Sequence, residues 1–203
     1  MSTFLGVAGE LGADDVDEAL VASAAIAYVE GYLVGLPSAE DALRRAVKAA
    51  HGAGRRVALT LSDPVWVAHR RHDFLALLGD VDVLVANEAE AQALSGEQDL
   101  DAVLAALSRS CPVVAVTRSE LGAVVTDGQE TTAVPAAAVD QVVDTTGAGD
   151  LFAAGFLRGL TAGLALPDCA RLGCLAAGEV ISHMGARPQT SLAGLAAAAG
   201  LLR

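Results

Sequence analysis

Within the seven residues Asp144-Thr145-Thr146-Gly147-Ala148-Gly149-Asp150 stand two glycines, two hydroxyls and two carboxylates. Glycine lets the backbone approach a ligand closely, and the opening amides of a helix are unpaired donors carrying partial positive charge. Such a loop, set between a β-like run (Thr131 to Val143) and an apolar helix (Leu151 to Leu160), is suited to an anion, with phosphate the obvious candidate. Asp150 stands against that reading, because a carboxylate beside a phosphate is repulsive unless it has a job. The residues alone leave two readings open: a phosphate cradle, or a tight turn whose Asp150 suits a helix first turn. The loop is not a GxxxxGK[ST] P-loop, since no lysine follows it. Nor is it a dinucleotide fingerprint, because Phe152 occupies the third glycine position.

The elements that must position this loop follow from hydrophobic patterning. Ser2 to Val7, Ala25 to Tyr32, Val57 to Leu61, Val81 to Ala86 and Val113 to Thr117 read as strands, and Val124 to Thr126 with Thr131 to Val134 read as a hairpin around Asp127-Gly128. Helices are predicted from Ser38 to about Ala50, capped by Ser38, from Val65 to Leu78, after Asn87-Glu88-Ala89-Glu90, and from Asp99 to Arg109. Two more run from Asp150 to about Thr161 and from Asp168 to about His183, and an alanine-rich one begins near Ser191. Strands alternating with helices predict an α/β fold of three layers, α/β/α, with a mainly parallel sheet, as a single domain over residues 1–203. Ligands in such sheets gather at the carboxyl ends of the strands, where Asn87, Thr117 and Asp144 all fall.

Composition narrows the function classes. A 53% hydrophobic content excludes disorder, and a net charge of −12 argues against nucleic acid or an anionic membrane surface as partner. Any phosphate site must therefore be made locally, by amides and metal ions. Met1 is followed by polar residues rather than a signal sequence, and Ala24 to Val29 is too short to span a bilayer. Cys111, Cys169 and Cys174 lack CxxC spacing and read as buried thiols in a reducing cytoplasm. His69 and His72, beside Arg70 and Arg71, lack a carboxylate and read as a solvated helix face. Gly155, Gly159 and Gly163 recur every fourth residue and predict close packing of that helix against a neighbour.

The whole stretch from Asp144 to Asp150, followed by Phe152 and Ala154-Gly155-Phe156-Leu157, resembles the C-terminal signature of the ribokinase-like (PfkB) carbohydrate and nucleoside kinases. Asn87-Glu88-Ala89-Glu90 resembles that family's NxxE motif, Val116-Thr117-Arg118 leading to Gly122 its nucleotide-side strand and turn, and Gly185-Ala186-Arg187-Pro188 the loop near its C-terminus. The runs Val57 to Asp63, Val142 to Phe156 and Val180 to Pro188 look most like the bacterial adenosine-kinase-type branch.

The resemblance implies ATP-dependent transfer of a phosphoryl group to the primary hydroxyl of a sugar or nucleoside. Asp150 would be the general base, and the amides of Gly147, Ala148 and Gly149 an anion hole for the transferring group. Asn87 and Glu90 would position Mg²⁺ and phosphates through water, and Thr117, Arg118, Gly122 and Thr145 would line the nucleotide side. Ser119 departs from the pattern, standing where many members have glycine. Asp144 and Thr146, with the backbone of Val180, His183 and Gly185, match a monovalent-cation (K⁺) site, the His183 imidazole being expected as a partly exposed helix-end side chain. The start, Met1 to Gly6, resembles an internal segment soon after the family's lid, so the N-terminal strands, the lid and the substrate-recognition residues are expected to be missing. The uncovered surface is expected to support self-association or a homodimer. The alternative is a catalytically silent nucleotide-binding or interaction protein derived from such a kinase.

Overall fold

The structure is a computed structural model, and it describes residues 4–202. The chain divides into two compact units, one of residues up to Val85 with Ala89–Val113, the other of Ala86–Glu88 with the residues from Val114 onward.

In the first unit, α1 (Glu18–Ser23), β1 (Ile26–Glu30), α2 (Pro37–Gly52) and β2 (Arg56–Thr60) are followed by α3 (Pro64–His69) and α4 (Arg71–Leu78). Then come β3 (Val83–Asn87) and α5 (Glu88–Ser95), apart from Ala86–Glu88, which belong to the second unit, and α6 (Leu100–Leu107). β1, β2 and β3 run parallel, with Ile26 opposite Arg56 and Ala58 opposite Val83. Val57, Ala58, Leu59, Val83 and Leu84 are fully buried, as the continuous apolar runs of parallel strands require. Each such Val or Leu side chain contributes ~1.5–3 kcal/mol on burial.

Caps set the helix starts. Asp63 Oδ1 accepts the amides of Val65 and Trp66, both at 2.9 Å, so Asp63-Pro64 is a helix-initiating turn. Asp99 caps α6 through the Ala102 amide at 3.1 Å. Ser38 does not cap α2. Pro37 occupies the first turn, where its missing N–H costs nothing, and the Ser38 hydroxyl donates to the Gly9 carbonyl instead.

Two further expectations fail in this unit. The described part of the Ser2–Val7 strand is not β: Gly6–Glu10 is a 3₁₀ turn, while Ser2 and Thr3 lie outside the described residues. The single helix expected over Val65 to Leu78 breaks at Arg70 (φ −113°, ψ 22°), whose guanidinium lies over the Trp66 ring, 5.4 Å from its centroid. That break puts His69 and His72 in different helices. His69 Nδ1 pairs with the Val65 carbonyl at 2.8 Å, and His72 is exposed, so the two form no metal site.

The second unit holds β4 (Val113–Thr117, less its first residue), β5 (Ala123–Thr126), β6 (Thr131–Val134), α7 (Ala148–Thr161), α8 (Leu166–Ile181) and α9 (Leu192–Ala198). β4, β5 and β6 are antiparallel, Val114 opposite Thr126 and Ala123 opposite Val134, so the predicted hairpin is present. The six strands form a mixed sheet in chain order, β1 through β6, and the fold is α/β. The β-like run expected from Thr131 to Val143 stops at Val134, because Pro135 removes a ladder donor.

α7 and α8 pack backbone to backbone. A Cβ on Gly155 would fall 2.6 Å from the Leu172 carbonyl oxygen, and one on Gly159 2.9 Å from Cys169 Cα. The expected stripe of small residues is therefore real at these two positions. Gly163 departs from it: it lies beyond the helix at φ +76° with open space around it. Phe152 and Phe156 stack at 6.0 Å and are buried. All three cysteines are free and buried, and burial pushes the Cys111 thiol up to about 12 and the Cys174 thiol up to about 11.

Candidate active site

α7 starts at Ala148, two residues earlier than the pattern suggested, so Asp150 sits inside its first turn. Gly147 is the N-cap at φ 83°, a left-handed conformation that glycine adopts without penalty. A Cβ there would also lie 2.9 Å from the Ala186 Cβ, so the turn is seated directly on the segment after α8.

Asp144 stitches that seat. Its Oδ1 accepts the Thr146 amide at 2.9 Å, closing an Asx turn, and its Oδ2 accepts the Gly185 amide at 3.0 Å. Alongside, the Val143 amide donates to the Ile181 carbonyl at 2.8 Å. The Thr146 hydroxyl first, then the Gly185 and Thr146 amides, hold the Asp144 carboxyl below its ordinary value, and the nearby His183 adds to this. Asp144, Thr146, Gly185 and His183 are thus brought together. Val180 is buried at the end of α8, next to the Ile181 carbonyl that Val143 engages.

The loop fits an anion, with one qualification at Ala148. Its amide donates to the Thr145 carbonyl at 3.2 Å and is already shared. The Gly149 and Asp150 amides belong to the first turn, which lacks partners one turn back. Gly149 and Asp150 are exposed, and a Cβ on Gly149 would meet nothing within 4 Å, so this helix start faces open space.

Sequence reasoning missed Glu179. It lies on α8 and is buried, and its Oε1 accepts the amides of Gln189 (2.8 Å) and Thr190 (2.7 Å) and the Thr190 hydroxyl (3.1 Å). Its Oε2 lies 3.3 Å from His183 Nε2. Burial works against its ionisation, but these bonds together outweigh burial and hold the carboxyl below its ordinary value. The His183 imidazole is partly exposed at a helix end, as expected, with 15% of its side chain accessible while it pairs with Glu179. The only sequence signal was a lone acid in an otherwise small, apolar helix stretch.

A second set of candidates lies at the ends of β3 and β4. Thr117 Oγ1 donates to the Ala86 carbonyl at 3.5 Å, and Arg118 Nε pairs with Glu88 Oε2 at 3.1 Å, next to the exposed Asn87. The Arg118 amide donates to the Gly122 carbonyl at 2.7 Å. Gly122, at φ +86°, has no room for a side chain, since a Cβ would lie 2.1 Å from the Val134 carbonyl oxygen. Ser119 adopts φ +51°, so the backbone there keeps the left-handed turn that its side chain disfavours. Glu90, in the first unit, is 6% exposed. Among the described residues no three His, Cys, Asp or Glu side chains gather as metal ligands, so a divalent ion here would depend on phosphate and water oxygens.

The model of the pfkB family carbohydrate kinases matches residues 2–192. The chain belongs to that family. Among relatives of this pfkB chain, an adenosine kinase from Saccharomyces cerevisiae is 31% identical over 198 residues, covering 90% of this chain and 57% of that protein. The crystal structure of an adenosine kinase from Sinorhizobium meliloti superposes with a TM-score of 0.91 at 50% identity, over 94% of this chain and 59% of that one. A probable sugar kinase from Rhizobium etli CFN 42 gives a TM-score of 0.92 at 47% identity, over 96% and 59%. This pfkB chain therefore spans about half the length of the curated relatives it matches, 43% and 57% of the first two. No helix among its described residues is long and apolar enough to cross a membrane.

Proposed function

We propose that residues 1–203 are the nucleotide-binding and catalytic part of an ATP-dependent kinase acting on the primary hydroxyl of a sugar or nucleoside. The observation that carries this reading is the start of α7, where Asp144 and Gly147 seat a helix first turn that faces open space with Asp150 in it. Asp150 takes the proton from the acceptor hydroxyl. The amides of Gly147, Ala148 and Gly149 stabilise charge on the phosphoryl group, Ala148 the least because Thr145 shares its N–H. When bound, ATP and Mg²⁺ supply the phosphoryl group and neutralise its charge. Asn87 and Glu90 orient the Mg²⁺ through water, while Thr117, Arg118, Gly122 and Thr145 serve the nucleotide side. Asp144 and Thr146, with the backbone of Val180, His183 and Gly185, hold a monovalent cation such as K⁺ that braces the loop. The family membership and the adenosine and sugar kinase relatives support this substrate class. Phe4, Val7, Leu20 and Tyr28 are exposed, which supports self-association.

The test is phosphoryl transfer from ATP to adenosine and to ribose by the full chain and its Asp150→Asn variant. The variant should lose turnover by a factor of about 10² or more while keeping its affinity for ATP. Near-normal turnover in the variant would remove Asp150 from the chemistry. ATP binding without transfer to any acceptor would make the protein a nucleotide-binding relative rather than a kinase.

A further inference from the structure

Glu179 is a buried carboxylate with no place in the chemistry above, and its hydrogen bonds go to His183, Gln189 and Thr190 rather than to the loop from Asp144 to Asp150. What it holds are the two sides of one short segment. At the near side it engages His183, just after α8, and at the far side the amides of Gln189 and Thr190. Between those anchors lie Gly185, whose amide binds Asp144, and Ala186, against which Gly147 is seated. A glycine at position 185 (φ +96°) with open space around it has no packing of its own to fix it, so its position depends on what pins the flanks.

The geometry points to Glu179 as a positioning residue for phosphoryl transfer: by clamping His183, Gln189 and Thr190, it fixes Gly185 and Ala186, and through them the helix start that carries Asp150. This rests on the kinase reading of that helix start, and it extends it to a residue buried behind the segment. Four acceptor contacts on one carboxylate over-determine the segment, whereas Gly185 alone would leave Asp144 with a mobile partner. A small displacement of a catalytic base is costly, roughly 10²-fold for about 1 Å. A clamp two contacts away is therefore felt at the reaction centre.

The experiment compares Glu179→Ala, Glu179→Gln and Thr190→Val with the parent chain by amide hydrogen exchange and by steady-state kinetics with ATP and adenosine. In Glu179→Ala the amides of Gln189 and Thr190 lose their acceptor directly. The amides of Thr146 and Gly185, which Glu179 does not touch, should also exchange faster by roughly tenfold or more, with the β5–β6 hairpin amides unchanged. Glu179→Gln keeps an oxygen for Gln189 and Thr190 and should restore most of the protection. Thr190→Val removes only the hydroxyl bond and should give a smaller loosening in the same amides. In turnover, Glu179→Ala should lower kcat by roughly tenfold or more with a much smaller change in KM for ATP. Loosening confined to Gln189 and Thr190, with Thr146 and Gly185 unchanged, would reduce Glu179 to an anchor for the following segment and overturn the proposal. Should Glu179→Ala fail to fold, Thr190→Val and Glu179→Gln decide by the same amides, and no change at Thr146 and Gly185 in Thr190→Val overturns it equally. A parent chain without turnover would refute the kinase reading while the exchange comparison still decides whether Glu179 positions the loop.

Discussion

Asp144 accepts the Gly185 amide at 3.0 Å across 41 residues of chain, and this single bond ties the loop before α7 to the segment after α8. Both this carboxylate and Glu179, which clamps the same segment, are held below their ordinary values in the folded protein. The bonds responsible are weakened if either group is protonated.

The sign of the pH dependence follows. A carboxyl whose folded value is depressed binds its proton more readily in the unfolded chain, so its stabilisation is complete above the unfolded value of roughly 4 and is lost as pH falls through the folded one. The second unit should accordingly lose stability on acidification from about pH 5 downward, as read by urea melts at stepped pH. Glu179→Gln cannot titrate at that position, and its melts should fall less steeply over the same window. Parallel curves for the two proteins would show that Glu179 contributes nothing to the acid limb.

Gly155 gives a prediction whose sign is opposite to helix propensity. Alanine is favoured over glycine in a helix interior by ~1 kcal/mol, so on propensity alone Gly155→Ala should stabilise α7. A Cβ at that position would meet the Leu172 carbonyl oxygen at 2.6 Å and Gly173 backbone atoms at 2.9 Å, which cannot yield as a flexible side chain would. Overpacking of this kind costs ~1–3 kcal/mol or more, and the variant should be destabilised by about 2 kcal/mol in equilibrium denaturation. A variant as stable as the parent would mean that α7 and α8 separate without cost.

The turn after β4 offers a pair of substitutions with opposite outcomes. Gly122→Ala combines φ +86° with a 2.1 Å approach to the Val134 carbonyl oxygen and should cost ~3 kcal/mol or more. Ser119→Gly, at φ +51°, relieves a left-handed conformation and should raise stability by about 0.5–1 kcal/mol. Denaturation midpoints of the two variants should fall on either side of the parent's.

The helix start at Asp144–Asp150 was legible because its signal is local: glycines, an Asx turn and a first-turn acid all lie within a few residues. The strands of the first unit were legible to within a residue or two for the same reason, as unbroken apolar runs such as Val57 to Leu61. Arg70 was not. Its neighbours are compatible with helix on both sides, and neither glycine nor proline marks the break at Arg70. Glu179 was invisible for a deeper reason. Its partners Gln189 and Thr190 lie ten and eleven residues away, beyond the end of its helix, and nothing in the helical pattern says that the chain returns to meet it. Ser119 was legible only as a departure from the resemblance, and the positive φ explains why glycine would suit that position.

The separation between Asp144 and its partner also has a bearing on how the protein is made. Ribosomes add roughly 5–20 residues per second. Once Asp144 is polymerised, Gly185 follows 41 residues later, so the nascent loop waits roughly 2–8 s for the amide that sets it. Throughout that interval Gly147 has no Ala186 to rest on, and the segment from Asp144 to Gly147 is a glycine-containing tether without that seat. The start of α7 is therefore set only by residues that arrive after the helix they support.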